Sequence, residues 1–383
     1  MGLYLDYNAS VPIDPRVLNE IIGVYQNVYG NADSRTHDFG NRSREIVEDA
    51  RGQVASILGV NNEEVFFTSG ATESNNIAIQ GLREYAISEN KKHIVTTSIE
   101  HKTVLETVRE MQRQGFEVDF ICPNETGRIQ SRDVLSKVRD DTLLVSVMHV
   151  NNETGIIQPV KEIGEVLSQQ NILFHIDATQ SFGKLVDELK EIQYSMLSMS
   201  AHKLGGPQGI GALILRKKKY KRPSIKPIMY GGQQEHGIRP GTIPVALVAG
   251  LGKACELAQK EYLDNQNQCR AIKKKMIQLI ENSGLSYGFN GDQNYCMSNT
   301  MNIFIQGVDS EALMISTKEY CAISNGSACN SNSYKPSYVL NAMGISEERI
   351  RNSIRISWGP EILVEAVEDS FGNFLEIAKG LVW

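Results

Sequence analysis

Hydrophobic positions along the chain alternate between two spacings, one typical of helices and one typical of short buried strands. Between residues 44 and 58 the apolar side chains recur every three or four positions, which predicts an amphipathic helix. Short apolar runs predict seven strands, and helical segments separate several of them. The predicted strands cover residues 65–68, 93–97, 116–121, 143–150, 172–176, 195–199 and 211–215.

This alternation of strands and helices is the pattern of an α/β fold. Strands joined through helices pair in parallel, so we expect a mainly parallel seven-stranded sheet with helices on both faces. From about Val245 to Glu281 one long helix leads to a smaller α+β part. We expect a large domain over residues 16–255 and a small domain formed by residues 1–15 and 256–383. Ligands of such sheets bind beyond the carboxyl ends of the strands.

Composition and charge narrow the class of protein. The 383 residues are 41% hydrophobic and 22% charged, which is typical of a soluble globular protein. A formal net charge of −6 argues against direct nucleic-acid binding, and we interpret the basic stretch 216–222 as a solvated connector, with partner docking as the alternative. The N-terminus lacks the layout of a signal peptide and no apolar run approaches the ~18 residues of a membrane span, so we expect a cytoplasmic protein without a membrane anchor.

Six cysteines are scattered along the chain without C-x-x-C pairs or zinc spacing. This usage is typical of reduced thiols in a cytosol, and it predicts neither a disulfide framework nor a metal site. The cysteines are Cys122, Cys255, Cys269, Cys296, Cys321 and Cys329.

Polar residues follow five of the predicted strands, at the edge where a ligand would bind. The run 69–74 opens a helix whose N-terminal N–H groups favour a phosphate, and plain helix capping is the alternative. His101 follows the next strand and is suited either to stack on a planar cofactor or to cap a helix. Asn152 lies in a run that orients a carboxylate or phenolic oxygen, or that forms an Asx-turn.

Asp177 and Lys203 follow the next two strands and favour a specific cofactor chemistry. A carboxylate at the buried end of a strand needs a cationic partner, such as a protonated pyridine nitrogen, and capping of the next helix is the alternative. Lys203 precedes a glycine-dense turn and is placed to form a Schiff base with an aldehyde, although a solvated lysine is the alternative for any single such residue. Because the five groups follow one another along one sheet, we interpret them as one site for a carbanion-stabilising aldehyde cofactor.

Nine runs of sequence carry a family resemblance. They are LDYNAS (5–10), GNADSRTHDFG (30–40), SGATESNN (69–76), EHKTVL (100–105), MHVNNETG (148–155), HIDATQSFGK (175–184), SAHKLGGPQGIGAL (200–213), GIRPGT (237–242) and SNGSACNSNS (324–333). In this order they resemble the cysteine desulfurases, which are pyridoxal-phosphate enzymes of the class V aminotransferase fold. The resemblance extends almost from end to end. It implies the aspartate aminotransferase-like fold (fold type I) and a homodimer with its active sites near the subunit interface.

The resemblance implies a role for each matching residue. Lys203 matches the lysine that binds pyridoxal phosphate, Asp177 the partner of the pyridine nitrogen, and His101 the histidine that stacks on the ring. Gln180 and Asn152 match residues at the ring hydroxyl, and Asn152 also lies near the substrate. The positions on the phosphate side are Ala71, Thr72, Ser200, His202 and, from the opposite subunit, Thr242.

Two further positions match the residues that handle the substrate. Arg355 matches the arginine that binds the substrate carboxylate, a natural use of its two-pronged guanidinium. Cys329 matches the catalytic nucleophile, which lies in a polar run, while the other five cysteines are interpreted as structural. The implied reaction converts L-cysteine to L-alanine and leaves a persulfide on Cys329, with His101 relaying protons. The sulfur then passes to an acceptor protein.

The run around Cys329 resembles the iron–sulfur-cluster branch, whose catalytic cysteine lies on a long mobile loop. Two differences from its housekeeping type favour the desulfurases of DNA phosphorothioation systems: GIRPGT lacks a serine before the glycine, and the chain ends at Trp383 without a scaffold-docking tail. We expect delivery of sulfur to DNA phosphorothioation or to iron–sulfur or thio-cofactor biosynthesis. A related class V aminotransferase, a selenocysteine lyase and a degenerate scaffold protein are the alternatives.

Overall fold

The seven apolar runs all form strands in the computed structural model, which describes residues 2–170, 172–326 and 336–383. Shorter strands occur near the N-terminus and in the last third of the chain. The strands are β1 (Leu3–Tyr4), β2 (Val65–Thr68), β3 (His93–Thr97), β4 (Glu117–Ile121), β5 (Thr142–Met148), β6 (Leu173–Asp177), β7 (Met196–Ser200), β8 (Gly211–Leu215), β9 (Tyr287–Phe289), β10 (Thr300–Ile305), β11 (Cys321–Ala322) and β12 (Ser353–Ser357).

Strands β2 to β8 form one sheet in the order β2-β8-β7-β6-β5-β3-β4. Every neighbouring pair is parallel except those of β8, which runs antiparallel to both β2 and β7. Strands β5 and β8 are buried along their whole length, which explains their continuous apolar sequences. The α/β class with a mainly parallel seven-stranded sheet, predicted from the sequence, is therefore confirmed. The carboxyl ends of β3, β5, β6 and β7 meet at one edge.

Helices separate the strands, and local capping sets their ends. Helix α2 begins at Asp38, earlier than the apolar spacing predicted, because His37 Nδ1 accepts a hydrogen bond from Gly40 N (3.1 Å). It ends at Leu58 because Gly59 adopts a left-handed conformation (φ +64°). The helices are α1 (Pro15–Asn27), α2 (Asp38–Leu58), α3 (Ala71–Gln80), α4 (Arg83–Ser88), α5 (Lys102–Arg113), α6 (Ser131–Ser136), α7 (Val160–Gln170), α8 (Val186–Glu191), α9 (Val245–Ser283), α10 (Ser310–Thr317), α11 (Tyr338–Ala342), α12 (Glu347–Arg351) and α13 (Val364–Gly380).

The long helix α9 contributes to several hydrophobic clusters, among them the two largest cores. Leu251 and Cys255 pack in the core beside the large sheet. Ile272 and Met276 pack in a second core with residues of β10, β12 and α13. The division of the chain into domains at residues 15 and 255 stays a prediction.

The N-terminal residues extend along the smaller part and reach the edge of the large sheet. Strand β1 pairs in parallel with β11, while β9, β10 and β12 form an antiparallel sheet. Leu5 lies in the second core, and Asp6 forms a bridge with Ser357 at the end of β12. This path places Asn8 beside the residues that follow the strands of the large sheet. Within the described ranges, no helix combines the length and apolar composition that a membrane crossing requires.

Candidate active site

A cavity of about 630 Å³ lies at the edge where the strands of the large sheet end. It gathers residues that are far apart in the sequence, from the N-terminal segment, from the ends of the sheet strands and from β12. Ten residues singled out from the sequence line it: Ala71, Thr72, His101, Asn152, Asp177, Gln180, Ser200, His202, Lys203 and Arg355. The expectation that chemistry follows the strands therefore agrees with the positions of these side chains.

Asp177, the last residue of β6, is a buried carboxylate held by neutral donors. Its Oδ2 accepts a hydrogen bond from Asn75 Nδ2 (2.8 Å), and its Oδ1 accepts from Thr179 N (3.0 Å) and from the Thr179 hydroxyl. Among the described residues no cationic side chain lies within 4 Å of this carboxylate. Because a buried carboxylate is costly without a positive partner, Asp177 suits a ligand that carries a cationic nitrogen.

Lys203 ends a short 3-10 turn that directly follows β7. Its Nζ donates hydrogen bonds to the carbonyl oxygens of Asn8 and Ala9, each at 2.6 Å. Burial, with the positive charges of Lys184 and Arg355, lowers the pKa of the Lys203 amine to about 8. A larger fraction of this amine is therefore unprotonated near neutral pH than for an exposed lysine, as attack on an aldehyde requires.

His101 caps helix α5 and also lines the cavity. Its Nδ1 lies 3.3 Å from Thr103 N, which donates to it, and 2.9 Å from the Thr103 hydroxyl. Burial lowers the pKa of this imidazole, so the neutral form prevails at neutral pH. The two interpretations of His101, helix cap and cofactor contact, are compatible in one side chain.

The N-terminus of α3 forms one end of the cavity. Gly70 precedes this helix with φ +148°, and no side chain in the described part of the chain caps the helix there. A Cβ on Gly70 would lie 3.4 Å from Ser200 Oγ, so backbone and hydroxyl approach closely. Thr72 and His202 line the cavity beside them. Uncapped N–H groups at a helix N-terminus with adjacent hydroxyls are a suitable site for a phosphate.

Several polar atoms of the cavity have no hydrogen-bond partner among the described residues. They are Asn152 Oδ1, Gln180 Oε1 and His202 Nδ1, and each is buried. Buried polar atoms are nearly always paired, so these atoms point to a ligand with complementary groups. Together with Asp177 and the α3 N-terminus, they fit pyridoxal phosphate, which has a ring nitrogen, a ring hydroxyl and a phosphate.

Arg355, on β12, is buried opposite the sheet edge and already has partners. Its Nη2 donates to Asp6 Oδ1 (2.6 Å) and its Nη1 donates to the Asn152 carbonyl (3.1 Å). Its Nε has no partner within the described ranges. The arginine predicted to bind the substrate carboxylate is therefore partly neutralised by a carboxylate of the chain itself.

The structure leaves the roles of two predicted site residues, Thr242 and Cys329, as predictions. Thr242 is exposed and lies outside the cavity lining, so its role in the opposite subunit stays a prediction. Cys329 lies outside the described residues, and its role as the nucleophile also stays a prediction.

Sequence reasoning missed residues that hold this site together. The Asn8 carbonyl accepts hydrogen bonds from both Lys203 Nζ and Gln180 Nε2 (2.9 Å), and Asn8 Nδ2 donates to the Asn152 carbonyl (3.1 Å). Buried Glu100 accepts from Thr97 and from Met148 N, which ties the ends of β3 and β5 together. Asp6 and Asn8 lie in the run LDYNAS, which was a signal for a site but gave no individual roles.

Comparison with known proteins finds relatives that agree with one another in family and fold. The aminotransferase class-V family model matches residues 3–369 of the chain. The cysteine desulfurase IscS of Photorhabdus laumondii subsp. laumondii is 40% identical over 387 aligned positions, which cover 99% of this chain and 95% of the relative. The crystal structure of DndA from Streptomyces lividans has a TM-score of 0.81 and 39% identity, covering 92% of this chain and 98% of that chain. The structure of SspA in complex with cysteine has a TM-score of 0.82 and 36% identity, covering 94% and 100%.

Proposed function

Because the chain belongs to the aminotransferase class-V family and, within it, to the pyridoxal-phosphate-dependent cysteine desulfurases, we propose that it converts L-cysteine to L-alanine and retains the sulfur as a persulfide on Cys329. The observation that carries this proposal is the convergence of Lys203, Asp177 and Arg355 on one cavity, where several polar atoms lack a partner among the described residues. Similarity to SspA, whose structure contains cysteine, supports L-cysteine as the substrate.

The residues of the cavity divide among the parts of the cofactor. Pyridoxal phosphate supplies an aldehyde for the lysine and a ring that draws negative charge away from the α-carbon of a bound amino acid. Asp177 would hold the ring nitrogen, and His101 would contact the ring face. Gln180 and Asn152 would meet the ring hydroxyl. The phosphate side is assigned to the α3 N-terminus with Ala71, Thr72, Ser200 and His202.

Arg355 and Lys203 act on the substrate itself. The guanidinium of Arg355 binds the α-carboxylate, using the face that Asp6 and Asn152 leave open at Nε. The Lys203 amine, with its lowered pKa, accepts the proton from the substrate Cα and returns protons later in the reaction. His101, neutral near pH 7, relays protons beside it.

The sulfur-transfer step requires no external oxidant or reductant. The thiolate of Cys329 attacks the sulfur of L-cysteine, so an S–S bond forms and the substrate Cβ–S bond breaks. The electron pair of the broken bond stays with Cβ, which takes up a proton to give the methyl group of L-alanine. A free thiol has a pKa of about 8.5, so a nearby base or cation must favour the thiolate form of Cys329 at neutral pH.

The proposed reaction also involves two protein partners, a second copy of the chain and a sulfur acceptor. A second copy of the chain would supply Thr242 to the phosphate side, and the exposed aromatic side chains Tyr25, Tyr29 and Phe39 offer apolar surface for such a contact. An acceptor protein would take the sulfur from Cys329. The DNA phosphorothioation branch remains our preferred source of that acceptor, because the run GIRPGT (237–242) lacks a serine before the glycine.

Replacement of Cys329 tests the proposal directly. Cys329→Ala should keep the visible absorbance of bound pyridoxal phosphate but lose alanine and sulfide formation by about a thousandfold, since no nucleophile receives the sulfur. The matched control is Cys122→Ala, which removes an exposed thiol far along the chain and should leave the rate unchanged. Mass spectrometry of the protein after one turnover should find one additional sulfur on Cys329.

Normal alanine formation by Cys329→Ala would contradict the assignment of the nucleophile. Alanine formation by the wild-type protein without a persulfide would favour another class V activity. Transfer of labelled sulfur from the persulfidated protein to candidate acceptors would then separate phosphorothioation from iron–sulfur or thio-cofactor pathways.

A further inference from the structure

Glu153 is a buried acid that neither the predicted site nor the cavity lining includes. It lies in the turn after β5, directly after Asn152. Its backbone N–H donates to Asn151 Oδ1 (2.9 Å), and its carbonyl accepts from Asn302 Nδ2 (3.1 Å). The backbone of this acid is therefore fixed from two sides, and its side chain points away from these contacts toward two other segments.

One carboxylate oxygen of Glu153 contacts both described ends of the segment that contains Cys329. Ser337 Oγ donates a hydrogen bond to Glu153 Oε2 (2.5 Å). A Cβ on Gly326 would lie 2.6 Å from the same Oε2, and Gly326 has φ +94°, so the backbone of Gly326 packs against this oxygen. Gly326 and Ser337 enclose residues 327–336, which include Cys329.

The same two ends are attached to the proposed substrate site. Gly326 N donates to Ser324 Oγ (3.2 Å), and Ser324 exchanges backbone hydrogen bonds with Arg355 (2.6 and 3.2 Å). Ser337 caps α11 by accepting from Leu340 N (3.1 Å), so its hydroxyl hydrogen is free to donate to Glu153. One end is thus fixed to the strand of Arg355 and the other to the turn that carries Asn152.

We propose that Glu153 is a positioning residue for Cys329, which acts by fixing Gly326 and Ser337 relative to Arg355. The inference rests on the proposed function. Three residues of chain span at most about 11 Å, so the position of Gly326 limits the reach of a thiol attached three residues later. Gly326 itself lines the cavity, which makes this limit relevant to attack on a substrate held by Arg355.

Opposing effects act on the pKa of the Glu153 carboxyl. Burial raises the pKa of this carboxyl to about 7, while the Ser337 hydrogen bond and the positive charges of Arg355 and Lys102 oppose that rise. Either form of the carboxyl accepts the hydrogen bond from Ser337. Glu153→Gln preserves that acceptor, whereas Glu153→Ala removes it.

The test compares these variants in the holoenzyme. Glu153→Ala and Ser337→Ala should each lower kcat for alanine formation and the single-turnover rate of persulfide formation about tenfold, with KM for L-cysteine and cofactor absorbance within about twofold. The double variant should lose less than the product of the two single losses, because both variants remove the shared hydrogen bond between Ser337 and Glu153. Glu153→Gln should recover most of the rate. Ser346→Ala, which removes the cap of the neighbouring helix α12, is the matched control and should leave kcat unchanged.

Several results would contradict the proposed role of Glu153, and each can be distinguished from the others. An unchanged kcat in Glu153→Ala, additive losses in the double variant, or a Glu153→Gln variant no faster than Glu153→Ala would overturn the inference. So would a loss of rate that matches a fall in cofactor content or that comes with a rise in KM, since that would mark a purely structural role. If the proposed function itself fails, the wild-type protein forms no persulfide on Cys329, an outcome separate from all of these.

Discussion

The cavity has two walls that are built in different ways. The sheet wall, formed by His101, Asp177 and Lys203, comes from residues that follow neighbouring strands of one sheet. The N-terminal wall, formed by Asn8 and Arg355 together with Asp6, which pairs with Arg355, comes from the first residues of the chain and from β12. The sheet wall thus uses a regular topology, whereas the N-terminal wall depends on contacts between distant parts of the sequence.

The two walls also differ in how their charges are balanced. The Asp177 carboxylate on the sheet wall has only neutral donors among the described residues. The Arg355 guanidinium on the N-terminal wall is paired with Asp6 at 2.6 Å. The sheet wall is therefore prepared for a cationic ring, while the N-terminal wall carries its own counter-ion. In the proposed role of Arg355, a substrate carboxylate would share the guanidinium with Asp6, which would lower its affinity.

The largest effect is expected on the sheet wall. Lys203→Ala should lower alanine formation by at least about a thousandfold, because it removes both the covalent anchor and the proton acceptor at Cα. Borohydride reduction followed by peptide mapping should find the cofactor on Lys203 in the wild-type protein and no adduct in the variant. Lys190→Ala, an exposed lysine, is the control. A reducible adduct at the usual peptide in Lys203→Ala would contradict the role.

A smaller effect with a different signature is expected on the N-terminal wall. Arg355→Lys keeps the positive charge but loses the planar fork, so KM for L-cysteine should rise about 100-fold, equivalent to roughly 3 kcal/mol. Cofactor absorbance should not change. Arg349→Lys, at a hydrogen-bonded arginine of α12 outside the cavity, controls for the loss of a guanidinium. A variant that lost its cofactor while keeping its KM would show that Arg355 serves the sheet wall instead.

The smallest effect concerns the link between the walls. Asp6→Asn removes the charge that competes for Arg355, so KM for L-cysteine should fall about threefold.

The negative charge of Asp6 also raises the pKa of Lys203, which burial lowers to about 8. In the apoprotein, the rate of reaction with pyridoxal phosphate should increase as pH rises through this pKa, and in Asp6→Asn the midpoint should move down by less than about one unit.

Asp14→Asn is the control for this prediction, because Asp14 pairs with Arg16 outside the cavity. A higher KM in Asp6→Asn, or an upward shift of the Lys203 midpoint, would mean that Asp6 orients Arg355 for the substrate and does not compete with it.

The contrast between the walls also explains what the sequence could predict. The strands of the large sheet are local apolar runs, and the residues after them converge because parallel strands end at one edge. The proximity of Asp177, His101 and Lys203 could therefore be predicted from the sequence alone. The start of α2 was missed because its cap is a single histidine, His37, rather than an apolar pattern.

The N-terminal wall could not be predicted in the same way. The hydrogen bond between Arg355 and Asp6 joins residues 349 positions apart, and that between Lys203 and the Asn8 carbonyl joins residues 195 apart. Periodicity along the chain carries no information on such contacts. Family resemblance assigned Arg355 to a substrate carboxylate, but it did not indicate that Asp6 occupies part of that guanidinium.

Helix α9 has a consequence for how the molecule loses its structure. Its 39 residues measure about 58 Å at 1.5 Å per residue, and each half buries side chains in a different core. A cut between residues 255 and 256 would create two new helix ends, with four N–H and four C=O groups unsatisfied where none are now. Because the two halves share one continuous helix, we expect melting of one half to fray the other and the two cores to unfold together.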